Sequence, residues 1–186
     1  MIVVFGDSIA FGEFDNRGGW ANRLKKDFKI INRSICGEDT IGLLKRIKIE
    51  LEQLNPNKII IALGINDSAK FLKKNRVSLT DFKKNYDLII QLSKFYSKEI
   101  YCIGLTRVDE KKVCPIPWDN LIYYHNSEAD KYDNAIEKIA KKHNLRYISM
   151  KKILLLSEME DGLHPNSEGH IKMYKKMKKI LKQNKK

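Results

Sequence analysis

Cysteine is scarce in this 186-residue chain: three residues, Cys36, Cys102 and Cys114, odd in number and irregularly spaced. That excludes a disulfide framework and a cysteine metal set, and fits a reducing cytoplasm as the expected compartment. Proline is also rare, with four residues, and no Pro-rich or Gly/Ser-rich stretch divides the chain. Residues 1–186 therefore read as a single domain with one sizeable core. No apolar run is long enough to span a membrane. The opening Met1-Ile2-Val3-Val4-Phe5 enters an apolar strand with no basic leader or small-residue cleavage site, which argues against a secretory signal. Gly-rich phosphate loops, a Gly-x-Ser-x-Gly elbow and zinc-type ligand spacing are absent as well, so no cofactor or metal is expected.

Positive charge is abundant: 36 Lys and Arg against 23 Asp and Glu leave a net +13. Such an excess suits nucleic acid, anionic lipid or an acidic substrate, or else marks solvated helix faces. The densest run, Lys172 to Lys186, alternates lysines with Ile171, Tyr174, Met177, Ile180 and Leu181 at helical spacing. It reads as an amphipathic terminal helix. Charge is accordingly read as solvation, and neither a nucleic-acid partner nor membrane insertion is expected. Nothing in the sequence speaks to oligomeric state.

Short β-rich runs alternate with helical patterns. The candidate strands are Ile2–Phe5, Lys29–Asn32, Lys58–Leu63, Glu99–Gly104 and Arg146–Ser149. Their near-continuous apolar character suits strands covered on both faces. Trp20, Leu24 and Phe28 share one helical face, and Leu44, Ile47, Leu51 and Leu54 another. Phe82, Tyr86, Ile89 and Ile90 mark a third face; Tyr132, Ile136, Ile139 and Ala140 mark a fourth. A last helix starts near Asn166 or Ser167, either of which can cap it. This alternation predicts a three-layer α/β/α fold with right-handed crossovers and ligands at the carboxyl ends of the strands.

Four segments converge on that edge. Gly6-Asp7-Ser8 follows the first candidate strand, and Asn32 to Gly37 follows the second. Gly64-Ile65-Asn66-Asp67 follows the third, and Asp161-Gly162-Leu163-His164 precedes the last helix. Ser8 reads either as a nucleophile or as a turn or N-cap serine; a hydroxyl nucleophile needs an adjacent base. His164 is the candidate base, with Asp161 three residues earlier to fix its tautomer. Pro165 holds His164 extended. His125, His143 and His170 read as surface residues, and His125 has no evident partner. The backbone N–H groups of Ser8 and Gly37 and the amide of Asn66 are candidate oxyanion donors. Asp7 reads as a turn-stabilising carboxylate, and Asn32 and Asp67 as braces for their loops.

The four segments resemble blocks I, II, III and V of the SGNH (GDSL) hydrolase superfamily, named for its Ser, Gly, Asn and His. Gly6 to Trp20, Leu63 to Ser68, Gly104 to Trp118 and Asp161 to His170 resemble the small bacterial GDSL-type esterase/acylhydrolase group, so the likeness covers essentially the whole chain. It implies a flavodoxin-like fold with a five-stranded parallel sheet and a metal-free Ser-His-Asp esterase mechanism. Residue by residue it puts the nucleophile at Ser8, the oxyanion hole at Ser8, Gly37 and Asn66, and acid and base at Asp161 and His164. Ile9 stands where the GDSL name has Leu, a volume-conserving departure.

The loop from Thr106 to Asn126 carries Ile116 and Trp118 as candidate walls of a substrate pocket, or packs on its own domain. Short acyl esters, lysophospholipids, thioesters and acetylated sugars all suit the chemistry. Small soluble esters are the expected substrates, since no obvious lid is present. Two rival functions stand beside this: acyl or acetyl transfer to an alcohol through the same triad, and a non-catalytic basic binding module in which the triad is incidental.

Overall fold

Runs of β-branched residues build the central sheet. Ile2-Val3-Val4 and Ile59-Ile60-Ile61 stack broad side chains on both faces of the pleat, and Val3, Val4, Ile59, Ile60 and Ile61 are fully buried. The computed structural model describes residues 1–183. Its first half runs β1 (Ile2–Gly6), α1 (Ser8–Phe11), α2 (Gly19–Arg23), β2 (Ile30–Asn32), α3 (Thr40–Leu44), α4 (Ile47–Leu54), β3 (Lys58–Ala62) and α5 (Ile65–Ser68). The second half runs β4 (Lys70–Phe71), β5 (Lys74–Asn75), α6 (Leu79–Lys94), β6 (Glu99–Ile103), α7 (Glu110–Val113), β7 (Ile122–Tyr123), α8 (Asn126–Lys142), β8 (Arg146–Ile148) and α9 (Ser167–Gln183).

Among the described residues, five strands form a parallel sheet in the order β2-β1-β3-β6-β8. The chain winds one way from β1 to β2 and the other way from β3 onward, so the switch point lies between β1 and β3. Gly6 registers with Ala62 across that pair, and Val4 with Asn32 on the other side. The helices fall into two contact groups, α1, α2 and α9 in one and α3, α4, α6 and α8 in the other. The expected three-layer arrangement and all five strands are present, each within two residues of its expected bounds.

Four local expectations need correction. The stripe Trp20, Leu24 and Phe28 does not stay helical: α2 ends at Arg23, a 3₁₀ turn covers Leu24–Lys26, and Phe28 lies beyond it. The stripe from Leu44 to Leu54 is split between α3 and α4, because Lys45 and Arg46 close back on Gly42 and Leu43 in three-residue turns. Arg46 at the break pairs with Glu38 and Glu50. An antiparallel sheet of order β5-β4-β7 went unanticipated, its two-residue strands being too short to show a period.

His170 is the fourth correction: it is fully buried, not at the surface. Asn166 caps α9 by accepting the Gly169 N–H at 3.1 Å, and the helix lays Met173, Met177 and Leu181 into the core. Its first turn meets α2, where His170 Nδ1 accepts the Trp20 N–H at 3.3 Å. Beside it Arg23 and Asp15 form a buried ion pair at 2.8 Å, and Arg23 also donates to Ser167 Oγ at 2.8 Å. Gly12 and Gly19 make this junction possible: a Cβ on Gly19 would lie 2.4 Å from the Gly12 Cα.

Burial pushes the His170 ring down to a pKa of about 4, and the Arg23 charge adds to this against Asp15. The folded ring therefore stays neutral while the unfolded one protonates near its ordinary value of about 6.5. Stability from this group is complete above about pH 6.5 and is lost as pH falls toward 4. Asp7, raised by burial to about 7, works in the opposite direction, so the test is a difference. Between pH 7 and 4.5, chemical denaturation should cost wild type about 1–3 kcal/mol more than His170→Asn. A pH-independent gap between the two proteins would contradict the assignment.

Candidate active site

β1 delivers Ser8 to the carboxyl edge of the sheet. Asp7 leaves the strand extended and caps α1, its Oδ1 accepting the Ile9 N–H at 3.0 Å. This matches its expected turn-stabilising role. Ser8 becomes the first residue of α1, with its side chain in the site and its N–H outside the helical ladder. The Ser8 hydroxyl lies 2.7 Å from His164 Nε2.

The segment before α9 supplies the other half. Glu160 N–H binds the His164 carbonyl at 2.8 Å, and Asp109 N–H binds the Gly162 carbonyl at 2.8 Å. Gly162 takes a φ of 94°, which L side chains rarely adopt. In this closed turn Asp161 Oδ1 accepts the N–H groups of Leu163 (2.9 Å) and His164 (2.7 Å). Its Oδ2 meets His164 Nδ1 at 2.6 Å. Burial alone would raise the Asp161 carboxyl, but the His164 ring and backbone hydrogen bonds outweigh it and hold the pKa below the ordinary value. An ionised Asp161 keeps the proton on Nδ1 and leaves Nε2 free to accept from Ser8.

Two more loops complete the edge. Ile35 to Glu38 form a turn closed by Glu38 N–H to the Ile35 carbonyl (3.1 Å), with Gly37 at its third position and φ of 73°. A Cβ on Gly37 would meet nothing within 4 Å, so this backbone borders open space. Asn66, in α5, donates one amide hydrogen to the Glu38 carbonyl at 3.0 Å, and its Oδ1 accepts from the Tyr124 hydroxyl at 2.9 Å. These contacts fix the amide orientation and leave its second N–H available. Asp67 accepts from Thr40 N (3.0 Å) and Thr40 Oγ1 (2.5 Å), and Asn32 bridges the Ala10 carbonyl and Ser34 N–H. Both act as the expected braces.

Tyr124 escaped sequence reasoning; it sits in an irregular loop, and only the fold brings it across to α5. Phe14 escaped too: its ring centroid is 5.4 Å from that of His164, and the side chain is 57% exposed. Trp118, an expected pocket wall, is 55% exposed with its ring 6.1 Å from His164. Ile116, the other candidate wall, is buried in the hydrophobic core instead. Its N–H ties back to the Ile122 carbonyl at 2.9 Å, which turns the side chain inward. A separate cleft of about 1100 Å³ has Phe71, Leu72, Tyr123 and Tyr124 in its lining and none of Ser8, Gly37, Asn66, Asp161 or His164.

The remaining histidines differ from expectation. His143 is half-buried with Nε2 2.8 Å from Asp87. His125, half-buried as well, has partners after all, Cys114 at 3.5 Å and Glu110 at 3.4 Å.

The fold is a doubly wound parallel sheet flanked by helices, with Ser8, His164 and Asp161 in hydrogen-bond contact at its carboxyl edge. The chain belongs to the GDSL-like lipase/acylhydrolase family, whose sequence model matches residues 4–171. Esterase TesA of Pseudomonas aeruginosa is 35% identical over 78 residues, which span 37% of this chain and 38% of that protein. The lipase/acylhydrolase of Enterococcus faecalis superposes with a TM-score of 0.78 at 20% identity, covering 98% of this chain and 95% of that one. Axe2, an acetylxylan esterase of Geobacillus stearothermophilus, gives 0.75 at 17% identity, covering 96% and 92%. At these identities the two structures speak to the fold. Among the described residues no helix is long and apolar enough to cross a membrane.

Reactivity of the serine can be read without knowing a substrate. A fluorophosphonate probe should attach to the peptide carrying Ser8, and Asp161→Asn should slow labelling by about 10³-fold or more. Labelling that persists in Ser8→Ala would contradict the geometry's reading.

Proposed function

We propose that this protein is a serine carboxylic ester hydrolase acting on small soluble acyl esters, as a single cytoplasmic domain. One observation carries the reading: the continuous hydrogen-bond chain from Ser8 Oγ through His164 (2.7 Å) to Asp161 (2.6 Å). Family membership supports it, and so do the esterase names of TesA and Axe2.

In the proposed reaction His164 Nε2 takes the Ser8 proton as Oγ attacks the ester carbonyl. The tetrahedral oxyanion is met by the N–H groups of Ser8 and Gly37 and the free amide N–H of Asn66, a neutral donor set. Imidazolium His164, stabilised by Asp161, then protonates the departing alcohol. Water, deprotonated by the same Nε2, releases the acid from the acylated serine. Phe14 and Trp118 stand beside the His164 ring and offer flat apolar walls to the substrate. Tyr124 acts as a positioning residue, holding the carbonyl end of the Asn66 amide so that its nitrogen faces the site.

Hydrolysis of p-nitrophenyl esters of increasing chain length tests this directly. Ser8→Ala should lose at least about 10⁴-fold in kcat while remaining folded by circular dichroism. Asn66→Ala should lose about 10²–10³-fold in kcat with little change in KM. A loss confined to KM would argue against an oxyanion role. Tyr124→Phe, which keeps the ring and removes the donor, should lower kcat by about ten-fold, a cost of about 1.4 kcal/mol. Unchanged kcat in this variant would exclude the positioning role of Tyr124.

A further inference from the structure

Outside the serine site, three side chains of different chemistry converge on one atom. Glu110 opens α7, Cys114 follows its end, and His125 immediately precedes α8. Cys114 Sγ is 3.5 Å from His125 Nδ1, and Glu110 Oε2 is 3.4 Å from the same nitrogen. All three donor atoms lie within 4.8 Å of one another. Both partners face Nδ1, and the Cys114 thiol also donates to the Tyr124 carbonyl at 3.1 Å.

We infer that Glu110, Cys114 and His125 form a binding site for a zinc-type transition-metal dication. The two separations from His125 Nδ1 agree with that chemistry, while the third, between Cys114 and Glu110, is within 4.8 Å and must reach about 3.6 Å on binding. Tetrahedral zinc, with bonds of about 2.3 Å to sulfur, about 2.0–2.1 Å to nitrogen and about 2.0–2.2 Å to oxygen, sets sulfur about 3.6 Å and oxygen about 3.4 Å from the nitrogen. The donors already stand at 3.5 and 3.4 Å. Thiolate and imidazole select zinc-like ions over magnesium or calcium, which take oxygen ligands. The Glu110 carboxylate is already oriented as a ligand, because its Oε1 accepts the Asn126 N–H at 2.9 Å and so turns Oε2 toward His125. Such outer contacts hold metal ligands in position.

The thiol must lose its proton to bind. On binding, the S–H bond breaks, the proton passes to buffer, and the sulfur lone pair forms the metal bond, releasing about one proton per ion. No redox step is involved. Three protein ligands leave a fourth position for water. The ion would clasp the ends of the segment from Cys114 to His125, the same segment that carries Trp118 past His164.

The sequence pattern hides this site. Glu110-x₃-Cys114-x₁₀-His125 matches no common zinc spacing, and α7 and β7 are too short to be foreseen. Cobalt(II) titrated into chelator-treated full-length protein is the test. Wild type and Cys36→Ser should each bind one ion per chain with a sulfur-to-cobalt charge-transfer band that zinc bleaches. The band should vanish in Cys114→Ser. Glu110→Gln and His125→Ala, each checked for folding, should bind at least about ten-fold more weakly, the low end of what losing even an outer-shell partner costs. Zinc should also raise the wild-type melting temperature by mass action. Absence of the band in wild type, its survival in Cys114→Ser, or undiminished affinity in both Glu110→Gln and His125→Ala would overturn the inference.

Discussion

The pairing of β1 with β3 is the constraint on which the site depends. With Gly6 opposite Ala62, the chain leaves both strands at the same edge, and Ser8 and Asn66 start or enter short helices there. A slip of one residue would reverse the faces of every isoleucine in β3 and carry Asn66 away from the serine. The fully buried Ile59-Ile60-Ile61 run forbids that slip, because both of its faces are covered. Core packing and alignment of the proposed site are thus one requirement here. β2 adds the Gly37 turn through the same mechanism on the opposite side of β1.

Electrostatics then give three buried carboxylates and the half-buried Asp161 different roles. Asp161 is held ionised by hydrogen bonds from His164 and serves the proposed base. Asp7 and Asp67 are pushed upward by burial, to about 7 and about 6, and direct their oxygens at backbone and hydroxyl groups that shape the loops. Asp15 meets Arg23 as a buried ion pair and ties the α1–α2 connection to α9. Removing one partner of such a pair leaves a buried charge uncompensated, so this contact fixes geometry more than it adds stability. The result is a floor of fixed hydrogen bonds beneath Ser8, with the aromatic rings of Phe14 and Trp118 above His164.

Local chemistry was legible in the sequence; long-range chemistry was less so. Ser8, Gly37, Asn66, Asp161 and His164 became candidates because each sits in a short segment that resembles a block of the family, with neighbours that prepare it, such as Asp7 capping α1 or Asp161 closing on His164. Strands showed through their apolar runs. What escaped depends on partners distant in sequence. Tyr124 meets Asn66 from 58 residues away, beyond the β3–α6–β6 crossover, and His170 is buried by an α2 contact that no helical period reveals. Ile116 looked like a pocket wall because it is an apolar residue of the same Thr106 to Asn126 loop as Trp118, yet an irregular turn sends their side chains apart. The α3–α4 break fell inside a continuous apolar stripe, where Arg46 and its acidic partners outcompete helical continuity.

The central claim is that Ser8 carries the acyl group between two half-reactions. Rapid acid quenching during turnover of a slow ester, followed by mass analysis of the peptides, tests it most directly. An acyl adduct on Ser8 should form with the burst of alcohol release and decay as acid appears. Turnover with no adduct, or with the adduct on another residue, would contradict the claim.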